Sequence, residues 1–200
     1  MNPLIEEVLK ALQRAGWTVK LASSPRPLPP EIAARHPNLA PLAVEFFTHV
    51  DHCVSDNEGR WLLAAEDFAG TAGKGFRWDE FEQMTLDGAE GKLASATHAF
   101  WDGHLPVLLV VDADYEFLAL GTDRGSKHFG KVVWAELVDF ESPLVEAESY
   151  EDLLIQLRDI ARAGPASTAG LARFVHTAFI GDEVAKPGSL WRRLRRWLGD

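Results

Sequence analysis

The stretch Leu105-Pro106-Val107-Leu108-Leu109-Val110-Val111, followed by Asp112-Ala113-Asp114 and then Tyr115-Glu116-Phe117-Leu118-Ala119-Leu120, decides the fold class. Two short apolar runs, rich in branched and aromatic side chains and joined by turn chemistry, predict a β-hairpin. Lys131 to Val138 predicts a third strand beside it. Helical patterns lie on both sides of this block. Asp79 to Phe100 reads as mostly helical, and Leu153, Leu154, Leu157, Ile160 and Ala161 form one apolar stripe behind the cap-like Ser149-Tyr150-Glu151-Asp152. Gly164-Pro165 stops that helix. Helices before and after consecutive strands, without βαβα alternation, predict an α+β fold with a mainly antiparallel sheet.

Further towards the N-terminus, Asn2 caps a helix in which Pro3 takes the first position and Ile5, Val8, Leu9 and Leu12 share a face, ending at Gly16. Trp17 to Leu21 alternates as a strand does, and Ser23 to Pro30 is a stiff proline-rich connection. A short helix over Glu31 to His36 and a longer one near Leu42 to Val50 follow, although the β-formers around the second make a strand its competitor. Asn57-Glu58-Gly59 signals a turn before a strand over Trp61 to Ala65. Towards the C-terminus, residues 1–163 read as one α+β domain and residues 164–200 as a helical extension. Helices are expected there near Ala169 to Ile180 and Ser189 to Leu198.

Composition narrows the function classes. A chain of 200 residues, 46% hydrophobic and 25% charged, has enough apolar mass to bury a core and is not of the disordered type. The single cysteine, Cys53, cannot form an internal disulfide, so nothing points to an oxidising compartment. Met1 to Leu12 carries two glutamates and lacks the apolar core of a secretory signal, and the longest apolar run, Val107 to Val111, is far too short for a membrane span. The expected localisation is cytoplasmic. A net charge of -10 argues against nucleic acid as a partner.

The succession Leu28-Pro29-Pro30-Glu31-Ile32, Phe100-Trp101-Asp102 through Leu105-Pro106-Val107, Asp114 to Leu120, Gly130-Lys131-Val132-Val133 and Ser149 to Leu154 resembles the SUKH superfamily over about residues 25–157. These are the Smi/Knr-like proteins, which include the yeast cell-wall assembly regulator. The resemblance implies a twisted sheet backed by helices. For bacterial members it implies an immunity protein that binds and neutralises the toxin domain of a contact-dependent or polymorphic toxin system. It implies no catalytic residues and no cofactor. The chain departs from the pattern by lacking the expected Asn-Gly after the first helix and by its arginine-rich C-terminus.

Residue chemistry offers rival readings. His49-Val50-Asp51-His52-Cys53 packs potential metal ligands closely, yet their spacing matches no usual zinc pattern, and an ordinary helix end with a buried thiol is the simpler reading. His98, Asp102 and His104 form a second cluster, with Asp102-Gly103-His104 read as a turn between helix and strand. Asp112 and Asp114 read as hairpin-turn residues. Gly70 to Gly75 has too few residues between its glycines for a phosphate loop and no hydroxyl after Lys74. We therefore expect no catalytic set and no metal. A small metal-dependent enzyme built on the His and Asp clusters, and a regulatory adaptor or scaffold, are the alternatives to an immunity protein.

A binding reading selects other residues. Trp61, Trp101 and Trp134 sit in apolar segments and are expected to pack internally. Trp78, beside Asp79, Glu80 and Glu82, suggests an aromatic anchor with an acidic rim that would meet a basic toxin domain. Leu190 to Leu198 predicts a helix with Leu190, Trp191, Leu194, Trp197 and Leu198 on one face and arginines, Arg192 and Arg195 among them, on the other. Its apolar stripe is worth more on burial than the ~4 kcal/mol that its four arginines gain near an anionic bilayer. Docking on protein is therefore favoured over membrane-surface contact through 189–198, and the docking surface could equally belong to a second copy.

Overall fold

The computed structural model describes residues 1–70, 77–111 and 115–176. It contains seven strands, β1 (Thr18–Leu21), β2 (Val50–Val54), β3 (Arg60–Leu62), β4 (His104–Val110), β5 (Glu116–Gly121), β6 (Val132–Glu136) and β7 (Leu144–Ala147). Each strand pairs antiparallel with its chain neighbours, so that spatial order and sequence order coincide. The helices are α1 (Pro3–Arg14), α2 (Pro30–Arg35), α3 (Pro41–His49), α4 (Ala65–Phe68), α5 (Glu80–Leu86), α6 (Lys92–Gly103), α7 (Tyr150–Ala163) and α8 (Ala172–Val175), with a 3-10 turn over Leu137–Asp139. This is the α+β, antiparallel architecture expected from the sequence.

Both faces of the sheet are covered. On β5 the side chains alternate, and Phe117 meets Phe81, Phe100 and Trp101, which places α5 and α6 on its face. Leu118 pairs with Trp134 on the opposite face, where the Arg173 guanidinium of α8 lies 5.1 Å from the Trp134 ring. Helices α1 and α7 pack side by side through Ile5, Val8, Leu9 and Leu12 and through Leu153, Leu154, Leu157, Ile160 and Ala161, all buried. Each such side chain contributes at most about 1.5–3 kcal/mol on burial. Coverage on both faces is why β4 is buried at every position.

The caps are as expected. Asn2 Oδ1 accepts the Leu4 N–H at 2.9 Å, and Ser149 Oγ accepts the Asp152 N–H at 3.0 Å. Gly164, at φ 78°, ends α7 in a conformation that a side chain would strain. The chain beyond it stays on the body: Leu171, Phe174 and Val175 are buried in the same core. Trp17 Nε1–H donates to Val175 O at 2.9 Å, and Arg60 Nε–H donates to Arg173 O at 2.7 Å. The extension expected from residue 164 thus runs, through residue 176, as part of the packed body, and the helix expected over 169–180 appears as the four residues of α8.

Three local readings are corrected, and one strand is added. Val50 to Val54 is a strand, so the helix expected near Leu42 to Val50 ends at His49 and the buried Cys53 lies on a strand: α3 passes into β2 at Val50, whose backbone pairs with β1, and Val54 pairs with Trp61 of β3. The strand expected over Trp61 to Ala65 ends at Leu62, because Ala64 begins the cap of α4. The helix over 79–100 is two helices separated by Gly88 and Gly91, both at positive φ. Strand β7 is new; its four residues after Pro143 carry too little pattern to be read alone.

The loop between β5 and β6 folds back against the sheet. Gly130 N–H donates to Gly121 O and Gly121 N–H donates to Lys131 O, each at 2.9 Å. A Cβ on Gly121 would stand 2.1 Å from the His128 carbonyl oxygen, a backbone atom that cannot swing away. Gly121→Ala is expected to cost about 2–3 kcal/mol, as overpacking does. Urea denaturation checks it, and an unchanged midpoint would mean that the loop can lift at no cost.

Candidate partner-binding surface

Trp78, Asp79, Glu80 and Glu82 lie at the start of α5, and long-range ion pairs decide what each can offer. Glu82 is only 4% exposed. Arg35, the last residue of α2, grips it with two hydrogen bonds, Nη1 to Oε2 at 2.6 Å and Nη2 to Oε1 at 2.7 Å. The same guanidinium reaches Asp102 Oδ1 through Nε at 2.9 Å, and His98 Nδ1 stands 3.3 Å from Glu82 Oε1. Trp78 is half-buried, with the Arg35 guanidinium 5.8 Å from its ring and His36 edge-on at 6.4 Å. Asp79 is held by Arg77 through two 3.0 Å hydrogen bonds. Glu80 is half-buried. The group is a clasp joining α2, α5 and α6, in which two of the three carboxylates expected to meet a partner already face guanidinium groups. Trp191, Arg192, Arg195 and Trp197 lie outside the described residues.

The histidines beside this clasp pack inward. His36 Nδ1 lies 2.9 Å from Thr122 Oγ1, while its Nε2 is buried with no partner among the described residues. Burial, with the charge of Arg35 adding to it, pushes His36 down to about 4. His104 stacks on Phe100 at 4.3 Å, and its Nε2 stands 3.2 Å from His128 Nδ1. Burial lowers both pKa values, with further contributions from the charge of His128 on His104 and of Lys127 on His128. The turn expected over Asp102-Gly103-His104 is absent: α6 runs to Gly103 and β4 starts at His104. His98 and Asp102 are one turn apart on α6, and they serve Glu82 and Arg35 respectively.

The cluster at 49–53 is dispersed by strand geometry. Asp51 pairs with Arg26 at 3.0 Å, and His52 sits edge-on to Trp61 at 5.8 Å. Cys53 is buried, which raises its thiol pKa. Behind it lies Asp67, 1% exposed, whose Oδ2 accepts the Ala64 N–H at 2.8 Å while Oδ1 has no partner among the described residues. Burial lifts its pKa to about 7. No sequence signal marked Asp67. Among the described residues no group of three His, Cys, Asp or Glu is placed to hold a metal ion, and no helix is long and apolar enough to cross a membrane.

The accessible acidic surface lies elsewhere, at the far end of the sheet. From Val132 to Leu157 there are seven acidic residues and no Lys, Arg or His. Strand β7 is the last of the sheet, so its outer backbone edge meets no further strand among the described residues. Leu144 and Val145 are exposed on it, at 59% and 43%. Beside it Trp134, Ala135, Glu136, Asp139, Ser142 and Leu144 line a cavity of about 350 Å³. Asp139, Glu141 and Glu148 are exposed; Glu148 pairs with Lys131 at 2.7 Å, whereas Asp139 and Glu141 make no ion pair among the described residues. No family model, curated protein or solved structure significantly matches this chain.

Proposed function

We propose that this chain is a non-catalytic protein-binding module, an immunity protein of the SUKH type that holds and neutralises a basic toxin domain in the cytoplasm. The observation that carries the reading is the block of seven acidic residues with no Lys, Arg or His over 132–157, which includes β7, the last strand of the sheet among the described residues. Like-signed fields of this kind speed association with a cationic partner and exclude anionic ones. The order of the SUKH-like motifs gives the class of partner, and the α+β architecture is compatible with it. The polar clusters favour neither a metal enzyme nor a hydrolase, since their members are engaged with one another across elements.

Affinity capture from the parent cells under graded salt, followed by mass spectrometry, tests the proposal. Near-equal recovery of the C-terminal region of a large secreted protein, and survival of cells that co-express that region with this chain, is the expected result. Capture of such a region without protection of the cells would reduce the reading to an adaptor. A stoichiometric transition metal or a metabolite in the purified protein, with no protein partner, would replace it with the enzyme reading.

A further inference from the structure

The loop joining β5 to β6, residues 122–131, is tied to the body by backbone and by side chains. Thr122 N–H donates to Gly103 O at 2.8 Å, and Lys131 N–H donates to His128 O at 2.9 Å. Asn38 donates from Nδ2 to Thr122 O at 3.3 Å and accepts Arg124 Nε–H on Oδ1 at 2.9 Å. The remaining anchors are imidazoles. His36, which follows α2, sets Nδ1 2.9 Å from Thr122 Oγ1, and His104, the first residue of β4, sets Nε2 3.2 Å from Nδ1 of His128 in the loop.

Both imidazole anchors depend on how many protons they hold. His104 Nδ1 lies 2.9 Å from Phe100 O, which can only accept, so Nδ1 carries the hydrogen and the neutral ring leaves Nε2 bare to accept His128 Nδ1–H. One added proton on the pair preserves that bond; a second puts hydrogen on both facing nitrogens and breaks it. His36 is stricter. Its Nε2 is buried without a partner among the described residues, so charging the ring would bury an N–H that has no acceptor there.

Burial is the largest influence on all three rings and resists their charging. Arg35 and His104 add to it at His36, His128 adds to it at His104, and Lys127 and Lys131 add to it at His128. Asp102 opposes it at His36 and Asp123 at His104, although Asp102 already pairs with Arg35. Lys131 pairs with Glu148. Each ring is held below its ordinary value, so its contribution is present above about 6.5 and is lost as pH falls through the folded value. Asp67, on α4, shifts the other way and gains as pH falls, which favours opening of the loop over unfolding of the body.

We propose that the β5–β6 loop is an acid-released latch: as the rings of His36, His104 and His128 take up protons, their contacts fail together and residues 122–131 lift from the body while the rest of the sheet stays folded. Release takes up more than one proton, because the His104–His128 pair tolerates the first. The device does not depend on the partner proposed above.

Amide exchange of the full chain between about pH 7 and pH 5, corrected for the intrinsic rate, reads the loop and the body separately. Protection at Gly121, Thr122, Gly130 and Lys131 is expected to fall about tenfold or more, since a ring released to its ordinary value favours the open loop about tenfold per pH unit below it. The amides of β4 and α7 are expected to keep theirs. His36→Gln/His128→Gln is expected to lose most of the loop's pH dependence. Unchanged protection of the loop in the unsubstituted chain, an equal loss in β4 and α7, or full pH dependence in the double variant would overturn the proposal. Should that variant not fold, the ring resonances of the unsubstituted chain decide: the three histidines are expected to titrate below about 6.5 together with the loop amides, and titration at ordinary values with the loop amides unmoved would overturn the latch.

Discussion

Arg35→Met is expected to lower stability by about 3 kcal/mol, because it leaves the Glu82 carboxylate buried without its cation. The figure sits at the low end for a broken buried pair, since the Arg35 side chain itself retains 23% exposure. His98 at 3.3 Å is exposed and is a weak substitute. Removing both charges together, as Arg35→Met/Glu82→Met, is expected to return most of the loss, since no uncompensated charge then remains inside. Urea denaturation of the two single variants and the double variant gives the coupling directly. A single-variant loss below about 1 kcal/mol would mean that the pair behaves as an exposed surface bridge. The clasp ties the C-terminus of α2 to α5 and α6, so Glu82 acts on the fold. The Glu82→Gln variant is therefore expected to alter stability more than capture.

The second large effect is a pair of opposed pH dependences. Asp67 titrates at about 7 when folded against 3.8 as a free carboxyl, so its contribution is fully present below 3.8 and is lost as pH rises through about 7. That loss amounts to about 4 kcal/mol at 1.36 kcal/mol per unit. His36 titrates at about 4 against 6.5, so its contribution is present above 6.5 and is lost as pH falls through about 4, about 3 kcal/mol in all. His104 and His128 shift in the same direction as His36. Between about 4 and 6.5 the slopes from Asp67 and His36 oppose each other, so these two groups together change stability little with pH. Asp67→Asn keeps an acceptor for the Ala64 N–H and is expected to leave stability rising from pH 4 to 6.5. His36→Gln is expected to leave it falling from pH 4 to 7. Urea midpoints measured across this range check both, and parallel profiles for the two variants would refute the assignment.

Much of the architecture was legible because its signals are local. Asn2 and Ser149 are caps with their partners two and three residues away, and the apolar stripes of α1 and α7 need only helical periodicity. The hairpin of β4 and β5 announces itself by two apolar runs and a short link. What failed had no local signal to decide it. Phe46, Phe47 and Val50 carry no breaker between α3 and β2, so helix and strand fit the same residues until pairing with β1 and β3 decides. Strand β7 has four residues and exists because β6 offers it an edge.

The binding surface was less legible than the fold. Trp78, Asp79, Glu80 and Glu82 look alike in sequence, an aromatic residue with an acidic rim. Arg35, 47 residues away from Glu82, turns that carboxylate inward. The burial of Asp67 and His36 likewise comes from elements remote in the chain, and with it their shifted titration.

The sequence by itself determined the α+β class, the ends of α1 and α7, the central hairpin and the excess of negative charge, since composition, periodicity and capping act within a few residues. Only the tertiary structure decided which carboxylates are neutralised inside and which face outward, that β7 ends the sheet among the described residues, and that residues 171–176 join the core. Those outcomes depend on contacts between segments far apart in the chain, where burial removes water and makes a single guanidinium decisive for the charge beside it.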